Sequence, residues 1–447
     1  MGRSESGASS PLLSSSRRPE SGSKAYRLFY FVAFLANFTP SSPYLTIYLE
    51  EDKGLSEDTI NDKVWPTSTY AMLALTVPVA VLSVRLPRLF LSLGIICRIA
   101  AYLLLLFGVG LSPMVTVEIL YAAFLVIDSN VLVTCACLYA TEEQYAKAAV
   151  GVGVSRELAL VSSSLLGQLL HDFTDAGKEI TFLFVISLCS CLGAFAVFMG
   201  TLAGTRAVDW RFVEEPNKPA RRFELKSAEL RKEVGGALNL PLVVPISLTL
   251  VGFYASFLLS ADYNFMILTK DGKDSWLGVI EASQDLAGAF GSLFAGWIYE
   301  RNDRQAQTEG GKSMAFLLLL AFGSTLCYLH SAIWGAEHAY WATVLCVVLP
   351  WGSYHCARTF ATCIVSTALG EVDGVSFLPL LLGGSTFLAL GCSSVAQLTV
   401  AEVEGTDEKD FFTGCAVVGT VLCLGIAANL LLRRATSSSR YSSNTST

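Results

Sequence analysis

The chain has 447 residues, of which 53% are hydrophobic and only 15% are charged. A mean hydropathy of +0.52 lies well outside the range of soluble globular proteins and is typical of a protein with many membrane spans. The formal net charge of −7 comes largely from short polar loops, so it indicates nothing specific about partners.

Apolar stretches of about 20 residues, the length needed to cross a bilayer as a helix, recur along the whole chain. They lie at residues 26–49, 64–84, 88–110, 115–140, 147–170, 180–203, 241–268, 276–299, 313–333, 339–364, 374–400 and 411–433. The pattern predicts an all-α membrane protein with twelve transmembrane helices. The even split around one long polar stretch favours two repeated six-helix bundles with a substrate site between them.

The polar segments divide the chain into five predicted regions. Residues 26–203 and 241–433 form the two bundles, and residues 204–240 form a central loop. The Ser-rich residues 1–25 and 434–447 are predicted to be disordered. Lysine and arginine are concentrated in the segments that would be cytoplasmic if both termini were inside, and this bias predicts that orientation.

The first span contains an unusual polar stretch, TPSSPYLTIYL, at residues 39–49. Pro40 and Pro43 each remove a backbone donor from an otherwise apolar helix. Within a membrane such backbone is tolerated only inside the protein or beside a water-filled cavity. We therefore expect the prolines to bend the outer end of this span, with Ser41 and Ser42 facing water.

Nine charged side chains lie inside predicted spans, away from the terminal residues, at positions where a lipid-facing charge costs about 2.5–3.5 kcal/mol. They are Arg98, Glu118, Asp128, Arg156, Glu157, Asp262, Glu281, Asp285 and Arg358. Six of them are acidic and three are basic, so several carboxylates remain even if every arginine is paired. This imbalance favours an organic cation or protons as the transported species.

Asp128 lies near the middle of span 4 and Arg156 near the middle of span 5, which leaves two interpretations open. Asp128 is either the counter-ion of a cationic substrate or half of a structural ion pair with Arg156. Glu281 and Asp285 are four residues apart, so they share one face of span 8. Glu118 lies near the outer end of span 4, and Glu118 and Asp285 are the predicted coupling or gating residues.

The sequence contains no phosphate-binding loop, no zinc-ligand spacing and no recognisable Ser/His/Asp set. It therefore predicts no catalytic residues, no metal site and no cofactor, and we expect the chain not to be an enzyme. His355, an isolated histidine in span 10, is typical of a packing residue rather than a proton carrier.

Several motifs, in order, resemble the reduced folate carrier and thiamine transporter family of the major facilitator superfamily. The first span and its loop read TPSSPYLTIYLEEDKGL, followed by NDKVWPTSTYAMLALTVPV. Further matches are EILYAAF (118–124), SREL with SSSLLGQLL (155–170), LGVIEAS (277–283) and WGSYHCARTFAT (351–362). The resemblance implies the major facilitator fold and a multi-pass transporter in the plasma membrane.

Within this resemblance, the residue types favour the thiamine transporter branch over the folate branch. Folate carriers place cations at three positions that align with Asp128, Trp351 and Ser393, so their anion-binding charges are missing here. Thiamine transporters place a carboxylate at the first of these positions, which Asp128 matches, and a helix 8 glutamate that Glu281 matches. Pro43 also matches the form of the first-span motif in that branch.

The resemblance also implies a wider set of binding residues, with several departures from the family pattern. The first-span glutamate of the family is replaced by Ser42, and the aromatic wall is reduced. Trp65 and Trp351 are predicted to stack on a cationic ring. The predicted substrate-binding set is Asp128, Glu281, Trp65, Trp351, Tyr354, Ser42, Asp262 and Arg156.

The predicted function is therefore secondary transport of a vitamin-type organic cation, thiamine above all, by alternating access. The expected partners are this small molecule and the lipid bilayer, with no nucleic acid and a monomeric state. One alternative is a folate or other organic-anion carrier that uses Arg98, Arg156 and Arg358. The other is a transport-dead nutrient receptor or interaction protein.

Overall fold

The structure is a computed structural model of the full chain. It describes residues 26–173, 180–204, 245–255, 277–301, 311–370, 378–401, 413–429 and 431. All regular structure in these ranges is helical.

Twelve helices in the described ranges define the elements used below. They are α1 (Leu28–Asn37), α2 (Leu45–Glu51), α3 (Trp65–Ser83), α4 (Pro87–Phe107), α5 (Leu111–Leu138), α6 (Tyr145–Phe173), α7 (Ile180–Gly204), α8 (Pro245–Ala255), α9 (Leu277–Arg301), α10 (Gly311–Gly370), α11 (Leu378–Ala401) and α12 (Thr413–Asn429). We refer to α1–α7 as the N-terminal helices and to α8–α12 as the C-terminal helices.

Seven helical stretches of the described residues are long and apolar enough to cross a membrane. Large apolar side chains on their outer faces, such as Phe107 and Leu319, are exposed in the protein alone, as a lipid environment requires. The all-α membrane class is therefore confirmed. Every predicted span overlaps a described helix, but the number of twelve crossings stays a prediction.

The element α10 is a helical hairpin and not one straight rod. A straight α-helix of 60 residues would be about 90 Å long. The rings of Phe316 and Phe360, 44 residues apart in sequence, instead lie with their centroids 5.1 Å apart. The chain therefore reverses direction inside α10, and its two limbs correspond to the predicted spans 313–333 and 339–364.

The first span is interrupted where the sequence places its prolines. Helix α1 ends at Asn37, and a 3-10 turn at Ser42–Tyr44 leads into α2. Ser42 is exposed, as expected, but Ser41 is buried and lies with its Oγ 2.9 Å from the Oγ of Ser187. The expectation that Ser41 faces water was therefore wrong, because α7 supplies a hydroxyl partner for it. The carbonyl group of Pro40 rests against Gly167, where no side chain intervenes.

The N-terminal and C-terminal helices contact each other along two long seams. Along one seam α6 packs against α9, with Gly278 N donating to Gln168 Oε1 at 3.0 Å and Lys147 Nζ lying 3.8 Å from Glu300 Oε1 near the other end. Along the other seam α3 packs against α11. An ideal Cβ atom built on Gly383 would lie only 2.5 Å from the Cβ atom of Ala80, so the backbones approach closely there.

Candidate functional site

The centre of the site is a buried carboxylate, Asp128, on α5. Its Oδ2 lies 3.7 Å from Nη1 of Arg156 on α6, and its Oδ1 accepts a 3.3 Å hydrogen bond from Nδ2 of Asn37 at the end of α1. Three different helices therefore converge on this carboxylate. A separation of 3.7 Å exceeds hydrogen-bond length, so Arg156 acts on Asp128 mainly as a nearby charge.

The shorter contacts of Arg156 go to its sequence neighbour, Glu157. Nε and Nη2 of the guanidinium both donate to Glu157 Oε1 at 3.1 Å. The same oxygen lies 3.0 Å from Nδ1 of His355 on α10. Glu157 is completely buried. Its carboxylate is stabilised by Arg156 on the same helix and by His355 on α10.

The second limb of α10 adds aromatic and cationic groups beside this cluster. The Tyr354 ring stacks on the Tyr254 ring of α8, with centroids 5.4 Å apart, and Trp351 stacks on His355 at 5.9 Å. Arg358 Nη2 donates to the carbonyl oxygen of Ser129 at 2.9 Å. Thus α10 places a guanidinium against α5 and an aromatic ring against α8.

The predicted acidic residues of α9 continue from this cluster toward the turn that follows α1. Asp285 is buried and lies close enough to Arg156, Glu157 and Glu281 to experience their charges. Glu281 faces the hydroxyl group of Ser42. The sequence-predicted residues thus form a series that runs from the exposed Ser42 into the interior, through Glu281, Asp285, Arg156 and Asp128.

Other predicted site residues lie apart from this cluster or outside the described residues. Trp65 packs against the apolar cluster that includes Ile60, Val64 and Tyr102, and its described contacts do not include Trp351. Glu118 on α5 faces Ser68 of α3. Asp262 lies outside the described residues. Within the described ranges, no group of three or more His, Cys, Asp or Glu residues could hold a metal ion.

Sequence reasoning missed two side chains that the structure brings into the site. Glu157 was recognised only as an intramembrane charge, and His355 was interpreted as a packing residue. In the structure Glu157 on α6 and His355 on α10 contact each other. The available signal was that an acid and a histidine both occur well inside predicted spans, Glu157 in span 5 and His355 in span 10.

The first part of the chain is similar to a known protein family. Residues 23–202 match the family model described as reduced folate carrier. The predicted resemblance to the reduced folate carrier family is confirmed. The match covers the N-terminal helices, which contribute Asp128 and Arg156 to the site.

Individual relatives in this family align with different lengths of the chain. Thiamine transporter 2 of Macaca fascicularis is 34% identical over 170 residues, covering 36% of this chain and 32% of the relative. The human reduced folate transporter is 25% identical over 424 residues, covering 84% of this chain and 66% of the relative. The chain thus matches about a third of the thiamine transporter's length. Neither identity distinguishes a thiamine substrate from a folate substrate.

Solved structures establish the fold. The E. coli fucose:proton symporter FucP superposes with a TM-score of 0.59 at 10% identity, covering 90% of this chain and 97% of that one. A second structure of FucP, a major facilitator superfamily transporter in the outward conformation, superposes with a TM-score of 0.58 at 11% identity, covering 90% of this chain and 97% of that one. The major facilitator fold is therefore confirmed for this chain.

Proposed function

We propose that the chain is a secondary transporter of a vitamin-type organic cation, with thiamine the leading candidate. Transport would occur by alternating access, with the N-terminal and C-terminal bundles rocking around a site near the membrane midplane. The matching relatives are named as thiamine and folate transporters, and the fold neighbours are major facilitator transporters.

The observation that carries this proposal is the incomplete neutralisation of Asp128. This carboxylate is buried, yet among the described residues its partners are an amide hydrogen bond of 3.3 Å and a guanidinium at 3.7 Å. Arg156 makes its 3.1 Å hydrogen bonds to Glu157 instead. A buried carboxylate is costly unless it is paired, so a cationic ligand entering beside Asp128 would be strongly favoured.

The surroundings suit a flat, positively charged ring. Tyr354 and Tyr254 offer stacked aromatic faces close to Arg156, and Trp351 lies one turn away on α10. Aromatic faces attract organic cations, and a carboxylate can accept hydrogen bonds from an aminopyrimidine. In this proposal Glu281 and Ser42 form a second contact, while Asp285 and Glu118 take part in coupling or gating.

A second candidate function, organic-anion transport, is favoured by Arg358. Within the described residues this guanidinium contacts the Ser129 carbonyl and the Tyr354 hydroxyl, and no carboxylate pairs with it. Arg98 is likewise surrounded by rings, with its guanidinium carbon 4.1 Å from the centroid of Phe124. Only one of the three intramembrane arginines is thus paired with acids in the described residues, so an anionic substrate has cations available.

The experiment that separates these functions measures uptake of labelled thiamine and labelled folate in parallel, in cells that lack both activities. We expect saturable thiamine uptake that Asp128→Asn abolishes without loss of surface expression. The matched control is Thr134→Val, a change of similar size on the same helix at a buried hydroxyl that bonds only within α5. Normal thiamine uptake by Asp128→Asn would refute the counter-ion role. Folate uptake alone would favour the second candidate, and uptake of neither would favour the transport-dead alternative.

A further inference from the structure

Glu157 has a role in the site that the family resemblance does not assign. It is adjacent to Arg156 in sequence, is fully buried, and accepts both short hydrogen bonds from that guanidinium. The guanidinium therefore points its Nε and Nη2 groups at Glu157 and leaves only Nη1 toward Asp128, at 3.7 Å. Hydrogen bonds between ionised groups are normally much shorter than this last distance.

The C-terminal helices fix the position of the Glu157 carboxylate. His355 Nδ1 lies 3.0 Å from Oε1 on one side. Gly288 of α9 lies on the other side, where an ideal Cβ atom would come within 2.8 Å of Oε2. The carboxylate is thus confined between a histidine and a glycine backbone, and both α9 and α10 limit its movement away from Arg156.

The position of Glu157 affects the net charge around Asp128. With both carboxylates ionised, Asp128, Arg156 and Glu157 together carry one net negative charge. To this the neighbouring Arg358 and Asp285 add opposite charges when both are ionised. Without the charge of Glu157 the sum would be zero, and the guanidinium would be free to turn fully onto Asp128. The attraction for a cation would then disappear even though Asp128 itself remained.

We infer that Glu157 determines the charge of the transported substrate by holding Arg156 away from Asp128, with His355 as a positioning residue. This inference rests on the proposed function, because it assigns the cation preference of that same site. Its consequence is a charge rule: a cation is accepted when Asp128, Arg156 and Glu157 together carry one negative charge.

The rule is tested with Glu157→Gln and with the double variant Arg156→Gln/Glu157→Gln, measuring thiamine uptake per molecule at the cell surface. Glu157→Gln makes the sum zero, and we expect uptake to fall by about tenfold or more. The double variant restores one negative charge on Asp128, and we expect uptake to recover most of the loss. Glu300→Gln is the matched control, because it removes an acid from α9 at an exposed ion pair with Lys147 and should have little effect.

Two results would overturn the rule: unchanged uptake by Glu157→Gln, or a double variant as inactive as Glu157→Gln. The second result is expected if Arg156 and Asp128 form a structural ion pair, in which Arg156 is needed to neutralise the charge of Asp128. The double variant therefore separates a substrate-selecting role of Glu157 from a purely structural one.

A measurement without substrate keeps this test independent of the proposed function. The coupling between Asp128 and Arg156 is obtained from a double-mutant cycle in thermal unfolding, using Asp128→Asn and Arg156→Gln. We expect this coupling to be larger in the Glu157→Gln background, because Arg156 then turns onto Asp128. Equal coupling in both backgrounds would refute the inference. If the wild-type protein takes up no thiamine, the proposed substrate is wrong, and this cycle still decides the role of Glu157.

Discussion

Two adjacent glycines of α11, Gly383 and Gly384, offer a sharp test of how the N-terminal and C-terminal helices pack. An ideal Cβ atom on Gly383 would lie 2.5 Å from Ala80 Cβ on α3, whereas one on Gly384 would have no atom within 4 Å. The substitution Gly→Ala is the same at both positions, and so is its effect on helix propensity. Only the contact across the seam differs.

The expected change in the free energy of unfolding is a gain for Gly384→Ala and zero or a loss for Gly383→Ala. Replacing a helical glycine by alanine stabilises a helix by about 1 kcal/mol, and Gly384→Ala should show this gain alone. At Gly383 the new methyl group must move more than 1 Å to reach an ordinary carbon–carbon separation of about 3.5–4.0 Å. Such overpacking costs about 1–3 kcal/mol, which cancels or exceeds the gain.

The assay is thermal unfolding of the purified protein in detergent, with both variants prepared in parallel. We expect the melting temperature to rise for Gly384→Ala and to stay level or fall for Gly383→Ala. The double variant Ala80→Gly/Gly383→Ala moves one methyl group from α3 to α11 and should recover stability relative to Gly383→Ala. Equal melting temperatures for the two single variants, or no recovery in the double variant, would refute the described seam.

Three further predictions concern the interrupted first span and the loop that follows it, each measured by the same unfolding assay. Gly167→Ala should lower stability by about 1–3 kcal/mol, because its methyl group would meet the Pro40 carbonyl. Ser41→Ala should lower the free energy of unfolding by about 1 kcal/mol, because the contact with the Ser187 hydroxyl is lost. The cost stays small because Ser187 keeps a 2.9 Å hydrogen bond to a carbonyl of its own helix. Lys53→Met should also cost about 1 kcal/mol, because the ammonium group donates at 3.3 and 2.9 Å to two carbonyls around the end of α4. An unchanged melting temperature for any one of these variants would contradict the corresponding contact.

The helices were predictable because a run of about 20 apolar residues by itself indicates a membrane-spanning helix. Runs such as residues 88–110 and 180–203 carry the signal directly, and the structure places α4 and α7 there. The interruption after Asn37 was also predictable, since proline cannot donate a backbone hydrogen bond. The burial of Ser41 was not, because its partner Ser187 lies 146 residues away and no local pattern reports that contact.

The candidate site was predictable as a set of charges but not as a set of partners. The cost of a charge in lipid identified Asp128 and Arg156 as interior residues from sequence. Which acid receives the guanidinium depends on the side-chain direction on α6, and the structure gives the short bonds to Glu157. The same Glu157 oxygen lies 3.0 Å from Nδ1 of His355 on another helix, a contact that spacing within one span cannot reveal.

The early end of α1 also shapes the electrostatic field in which a substrate would lose its water. The last four carbonyl groups of an α-helix have no partner within the helix, and together they act as about half a negative charge. In this protein that helix end contains Asn37, whose side chain donates to Asp128. If the first span were one continuous helix, these carbonyl groups would accept hydrogen bonds from the next turn of that helix. By stopping at Asn37, the chain places fixed backbone dipoles beside the Asp128 carboxylate, where they can replace the hydration shell of an arriving cation.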